Sequence, residues 1–171
     1  MERSVGPFVV DTRRAQRNAG TPEPFEVSGL LAVEGEPGVM PDPETPVVCV
    51  GTLQALSDGS IVVNADATGA WIGQCRRCLR SLSEPLSVHL SELFEASPEE
   101  GETYQLGDQT IDLEQAVRDN FILEMPVLTL CSEECEGICP ECGADRNEAP
   151  CGCTVERLDP RWDALKDFDF S

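Results

Sequence analysis

Eight of the nine cysteines in this 171-residue chain fall in close pairs, and this spacing restricts the fold more than any other feature. The pairs are Cys75/Cys78, Cys131/Cys135, Cys139/Cys142 and Cys151/Cys153. Cys49 stands alone in an apolar run and reads as a small buried hydrophobe. Met1–Pro7 has no apolar signal core, so export by that route is not expected. Clustered cysteines without an export signal read as metal ligands before disulfides.

The strongest local signal is Cys139-Pro140-Glu141-Cys142-Gly143, followed after seven residues by Cys151-Gly152-Cys153. A Cys-x-x-Cys turn aims both sulfurs at one ion, and the glycine tolerates the tight backbone. Four thiolates suit tetrahedral Zn²⁺, so Cys139, Cys142, Cys151 and Cys153 are the candidate ligands of a structural zinc. Such an ion would organise a segment too polar to build a core of its own. The second pair is Cys-x-Cys, which departs from a standard ribbon. Four thiolates also suit an iron–sulfur cluster, and reduced free thiols in an exposed loop are the plainer alternative.

Cys75, Cys78, Cys131 and Cys135 form a candidate second site, closed across some 50 residues of chain. Another register, with Cys131, Cys135, Cys139 and Cys142 around one ion, is equally open. Cys75-Arg76-Arg77-Cys78 also admits a redox reading, since neighbouring arginines favour a reactive thiolate. A thioredoxin-like site needs a strand–helix setting, however, and Glu84-Pro85 follows too closely for a helix.

The remaining pattern is mostly strands. Phe25–Leu30 alternates apolar and polar residues. Val47–Leu56 and Ile61–Ala67 flank Ser57-Asp58-Gly59-Ser60, a hairpin signal. Thr68-Gly69 reads as a further turn before a third strand, Ala70–Gln74, and Leu86–Phe94 as a fourth. Asp11-Thr12 reads as the cap of a short turn carrying Arg13, Arg14 and Arg17. Residues 34–46 and 95–109 read as loops. Asp112-Leu113-Glu114-Gln115 has the form of a helix cap, with Leu113, Ala116, Val117 and Phe121 on one face. Asp159-Pro160 reads as the start of a terminal helix with Trp162 and Leu165 on one face. No internal repeat is evident. The expected fold is α+β: an antiparallel β-sheet meander with one or two helices and a C-terminal cysteine-rich zinc-binding lobe. The expected domains are residues 1–127, a core with an N-terminal extension, and residues 128–171, a zinc-ribbon-like lobe with a C-terminal helix.

Charge narrows the function. The net charge is −20, and it is uneven: residues 1–80 carry 7 basic and 10 acidic side chains, residues 81–171 carry 5 and 22. Affinity for nucleic-acid backbone comes from Lys and Arg displacing counterions, so non-specific binding to DNA or RNA is not expected. A basic protein partner is compatible with this charge. Arg76, Arg77 and Arg80 form one small basic patch, and Arg13, Arg14 and Arg17 another. Either is a candidate for local RNA contact, and pairing with the chain's own carboxylates is the favoured alternative. No apolar run approaches the length of a membrane span. The single histidine, His89, sits on an expected strand. No glycine-rich phosphate loop or nucleophile elbow is present, so no enzyme is expected.

Taken together, Cys75-Arg76-Arg77-Cys78-Leu79, Asp112-Leu113, Val117-Arg118-Asp119, Pro126, the string from Cys131 through Cys135-Glu136-Gly137-Ile138-Cys139-Pro140 to Cys142-Gly143, then Asn147, Cys151, Cys153 and Asp159-Pro160-Arg161-Trp162 resemble the large ribosomal RNA subunit accumulation proteins, the YceD-like family. The resemblance covers roughly residues 45–168. It implies a cytoplasmic, non-enzymatic protein needed for 23S rRNA accumulation, with a basic ribosomal protein or a large-subunit assembly intermediate as partner. Some members lack the C-terminal cysteines, which implies a structural role for any metal. A zinc-ribbon adaptor for an unrelated protein, and a thiol oxidoreductase using Cys75 and Cys78, are the competing readings.

Overall fold

Alternating apolar and polar residues make a strand with one face to bury, and here the longest such runs build the sheet. The computed structural model describes residues 6–31 and 38–153. In chain order the elements are β1 (Val9–Asp11), α1 (Arg13–Arg17), β2 (Glu23–Gly29), β3 (Met40–Pro41), β4 (Val47–Ala55), β5 (Ile61–Gln74), β6 (Ser81–Glu95), β7 (Tyr104–Gln105), β8 (Thr110–Asp112) and α2 (Glu114–Glu124). The main sheet runs β2-β4-β5-β6-β7, with β3 beside the end of β5. All its pairings are antiparallel except β6 with β7. β1 and β8 form a separate two-stranded ribbon.

The β4–β5 hairpin turns where Asp58-Gly59 predicts, with Gly59 at φ +92. The turn expected at Thr68-Gly69 is absent. β5 continues through it for 14 residues and pairs along its whole length with β6, itself 15 residues long. Gly69 is there for space: a β-carbon on it would sit 2.7 Å from Val47 Cγ2 and 3.3 Å from the Phe121 ring. β6 likewise starts earlier than Leu86, carrying Pro85 opposite Ala70 on a stretch with only β5 beside it.

The buried face of the sheet comes from Val47, Cys49 and Leu53 of β4, Ile61, Val63, Ala65 and Ala67 of β5, and Val88, Leu90 and Phe94 of β6. Helix α2 covers it with Val117 and Phe121, following Leu113 and beside Ala116, all fully buried as the helical spacing predicts. Burying a phenylalanine of this kind stabilises the fold by about 1.5–3 kcal/mol. The cap of α2 differs from the expected box. Asp112 ends β8, and its Oδ1 accepts the Glu114 amide at 3.0 Å, one position short of a capping box, while Leu113 occupies the cap. Asp11 Oδ1 accepts the Arg13 amide at 2.9 Å in the same way ahead of α1. Short strands lie inside both expected loops, β3 in 34–46 and β7 in 95–109. The Tyr104 ring of β7 stacks on Phe94, centroids 5.4 Å apart.

The chain divides into two compact units. One comprises residues up to Gln74 together with Ser81–Thr129; the other comprises Cys75–Arg80 together with the chain from Leu130 onward. The terminal helix expected from Asp159-Pro160, with Trp162 and Leu165, lies outside the described residues. No described helix is long and apolar enough to cross a membrane.

Candidate metal centres

Among the described residues, the second unit is built from short polar turns that place eight cysteines in two groups of four. Cys75, Cys78, Cys131 and Cys135 form one; Cys139, Cys142, Cys151 and Cys153 form the other. Within each, all four sulfurs lie within 4.8 Å of one another. A tetrahedral ion with sulfur ligands at 2.3 Å has sulfur–sulfur edges of about 3.8 Å. Cys75 Sγ lies 3.8 Å from Cys135 Sγ, and Cys78 Sγ lies 3.6 Å from Cys131 Sγ. Both groups could hold a metal ion. Cys131 and Cys135 converge on Cys75 and Cys78 rather than on Cys139 and Cys142, the grouping of the alternative register.

Two knuckles of the same design supply half of the ligands. In one, the Leu79 amide donates to the Cys75 carbonyl at 2.9 Å and the Cys75 amide donates to the Arg80 carbonyl at 2.9 Å. In the other, the Gly143 amide donates to the Cys139 carbonyl at 2.8 Å and the Cys139 amide to the Ala144 carbonyl at 2.8 Å. The residue after the second cysteine is left-handed in both, Leu79 at φ +61 and Gly143 at φ +74. This repeat of backbone geometry is invisible to a search for repeated residues, since Arg76-Arg77 and Pro140-Glu141 share no chemistry.

The knuckle turns also tune the sulfurs. The Cys78 amide donates to the Cys75 sulfur, with help from the Cys131 and Arg77 amides, and lowers the Cys75 thiol to about 6. The Cys142 and Glu141 amides do the same for Cys139, also to about 6. Cys131 and Cys153 are pushed the other way. Cys131 rises to about 12 against the Cys135 and Cys78 sulfurs, and Cys153 to about 12 against those of Cys142 and Cys139. Negative charge on one sulfur opposes it on the next, and a cation at the centre removes that opposition. The two centres differ in access: three of the first four cysteines are buried, whereas Cys142 and Cys153 are exposed.

The arginines of the first knuckle are partly committed to its structure. Arg77 Nη1 donates to the carbonyls of Glu133 at 3.0 Å and Cys135 at 2.9 Å, and Arg80 pairs with Asp145 at 3.5 Å. Arg76 is exposed beside them. In the first unit, Arg13 pairs with Asp11, and Arg14 Nε with Glu23 at 2.8 Å. His89 Nδ1 lies 2.9 Å from Asp66 Oδ1 on the open face of the sheet. Cys49 is fully buried, as its sequence setting predicts.

Asn147 has a larger part than its turn position alone signals. Its Oδ1 accepts the Glu136 amide at 2.8 Å, and its Nδ2 reaches Cys135 Sγ at 3.5 Å. Only the contact of two segments of chain exposes that role.

The family model for the large ribosomal RNA subunit accumulation protein YceD matches residues 63–169, which takes in most of β5, then β6, α2 and all eight clustered cysteines. The chain belongs to the YceD family. An uncharacterized protein of Mycobacterium bovis is 35% identical over 120 residues, 66% of this chain and 57% of that protein. An uncharacterized protein of Mycobacterium leprae is 32% identical over 115 residues, 63% of this chain and 52% of its own length. The chloroplastic large ribosomal RNA subunit accumulation protein YCED homolog 1 of Arabidopsis thaliana is 34% identical over 55 residues, 32% of this chain and 17% of that protein. The chain thus spans little more than half the length of the mycobacterial relatives it matches. No solved structure matches the chain.

Proposed function

We propose that this YceD-family chain is a non-enzymatic assembly factor that supports accumulation of 23S rRNA in the large ribosomal subunit, in the cytoplasm where ribosomes are built. The family match over residues 63–169 carries this reading. The partner is a basic ribosomal protein or a large-subunit assembly intermediate. The net −17 of residues 81–171 favours a basic protein surface over naked RNA. Arg77 and Arg80 are engaged within the chain, which leaves Arg76 as the best placed of the knuckle arginines for a local rRNA contact.

Each four-cysteine group holds one zinc ion in a structural role. In both groups the four sulfurs lie within 4.8 Å of one another, with edges of 3.6 and 3.8 Å in the Cys75/Cys78/Cys131/Cys135 group, which suits a single tetrahedral ion, whereas a multi-iron cluster spreads the sulfurs over several irons. Committing Cys75 and Cys78 to a four-sulfur centre favours a structural over a redox role for that motif.

The test is depletion of the protein from cells, followed by the ratio of 23S to 16S rRNA and sucrose-gradient profiles. A selective fall in 23S rRNA and in large-subunit particles is the expected result. An unchanged ratio with depletion verified overturns the reading.

A further inference from the structure

We propose that Asn147 couples the two cysteine centres, so that metal in the Cys139/Cys142/Cys151/Cys153 centre raises the affinity of the Cys75/Cys78/Cys131/Cys135 centre. This rests on the metal reading above. Asn147 lies in the chain between Cys142 and Cys151, ligands of the exposed centre, yet its side chain serves the buried one. Its Nδ2 donates to Cys135 Sγ at 3.5 Å, while its Oδ1 holds the next amide, Glu136 N, at 2.8 Å. Asp145 fixes the donor: its Oδ1 accepts Asn147 Nδ2 at 2.6 Å and the Asn147 amide at 2.9 Å. The other carboxylate oxygen of Asp145 faces Arg80, two residues beyond ligand Cys78, at 3.5 Å. The same turn is tied again where the Arg146 amide donates to the Gly137 carbonyl at 2.9 Å.

Four thiolates around a divalent cation leave a net charge of roughly −2. An N–H aimed at one sulfur disperses that charge and fixes the ligand's orientation, and such outer contacts commonly change metal affinity 10–100-fold. Metal at Cys142 and Cys151 pins both ends of the turn that carries Asn147 and narrows its conformational range before it meets Cys135. The coupling is therefore reciprocal: each centre helps the other by the same factor.

Cobalt(II) titration of the reduced, metal-free full chain tests this, read by the thiolate-to-cobalt absorption bands. A Cys142→Ser/Cys153→Ser variant isolates the buried centre, and a Cys78→Ser/Cys131→Ser variant isolates the exposed one. The buried centre should bind cobalt about ten-fold more weakly when the exposed one is removed. Asn147→Ala in the full chain should weaken the buried centre by a similar factor, and should add little once the exposed centre is gone. Asn147→Asp keeps the acceptor for Glu136 N but loses the donor to both Cys135 Sγ and Asp145 Oδ1, so it should weaken the buried centre at least as much as Asn147→Ala. Two filled centres with independent affinities, or an Asn147→Asp chain that binds as the parent does, overturn the coupling while the metal reading stands. A chain that takes up no cobalt in any form overturns both.

Discussion

Leu79 holds its backbone at φ +61 while its amide donates to the Cys75 carbonyl, 2.9 Å away. Gly143 does the same work in the other knuckle at φ +74. A left-handed conformation costs an L-residue with a side chain roughly 1–2 kcal/mol, so the first knuckle stores strain that the second avoids. Leu79→Gly should stabilise the second unit by about 0.5–1 kcal/mol, since part of the relief is offset by the added freedom of the unfolded chain. Gly143→Ala should cost about 1 kcal/mol, because a β-carbon there meets nothing within 4 Å and only the backbone term applies. Gly137→Ala should cost more, since at φ +74 its β-carbon would also lie 2.9 Å from the Arg77 carbonyl oxygen. Urea unfolding of the metal-loaded chains measures all three, and a Gly143→Ala loss larger than that of Gly137→Ala would contradict the geometry.

Elemental analysis of the purified, reduced chain should find two zinc ions per molecule. Cys78→Ser and Cys142→Ser should each lower that number to one, because each removes a ligand from a different centre. Chelation should unfold the second unit, whose described residues are mostly polar turns, and leave the β-sheet signal of the first. One ion retained in a Cys78→Ser/Cys142→Ser double variant would show that the ligands are grouped differently.

The grouping of Cys139, Cys142, Cys151 and Cys153 was legible because these cysteines are local in sequence: the spacing alone brings the sulfurs together. The other centre was legible only as a candidate, since Cys75 meets Cys135 across 60 residues and no local pattern records that approach. The sheet shows the same division. Asp58-Gly59 marks a turn through its own conformational needs, while Thr68-Gly69 imitates one; Gly69 answers to Val47 and Phe121, which pack against it from elsewhere in the chain. Pro85 lies inside β6 although the expected strand began at Leu86: whether a strand tolerates proline depends on its neighbours, and β6 has one neighbour there.

Cys49 should behave unlike the other eight. Burial, and then the nearby charge of Asp66, push its thiol up to about 11. In the metal-loaded chain at pH 8 no cysteine should react rapidly with a thiol reagent: eight are held by metal and Cys49 is buried and protonated. After chelation eight should react, and Cys49 should follow only on addition of denaturant. Rapid reaction of Cys49 in the native chain, located by mass spectrometry, would show that the β4–β5 core opens locally.

Tyr104 should set part of the alkaline limit of the first unit. Burial, with the charges of Glu92 and Asp119 adding to it, raises its hydroxyl to about 12, and that hydroxyl donates to Asp119 Oδ2 at 3.2 Å. An unfolded tyrosine ionises near pH 10. Between those values the folded chain keeps a proton that the unfolded chain releases, so raising the pH favours unfolding. The contribution is complete below about pH 10 and is lost as the pH climbs toward 12. Tyr104→Phe removes the hydrogen bond and should cost about 0.5–1.5 kcal/mol at pH 8. Since phenylalanine does not titrate, the gap between parent and variant in urea unfolding should narrow as the pH rises past 10. A gap that stays constant to pH 11.5 would mean that Tyr104 ionises equally easily in both states and that the stacked ring beside Phe94 is as open to water as the unfolded chain.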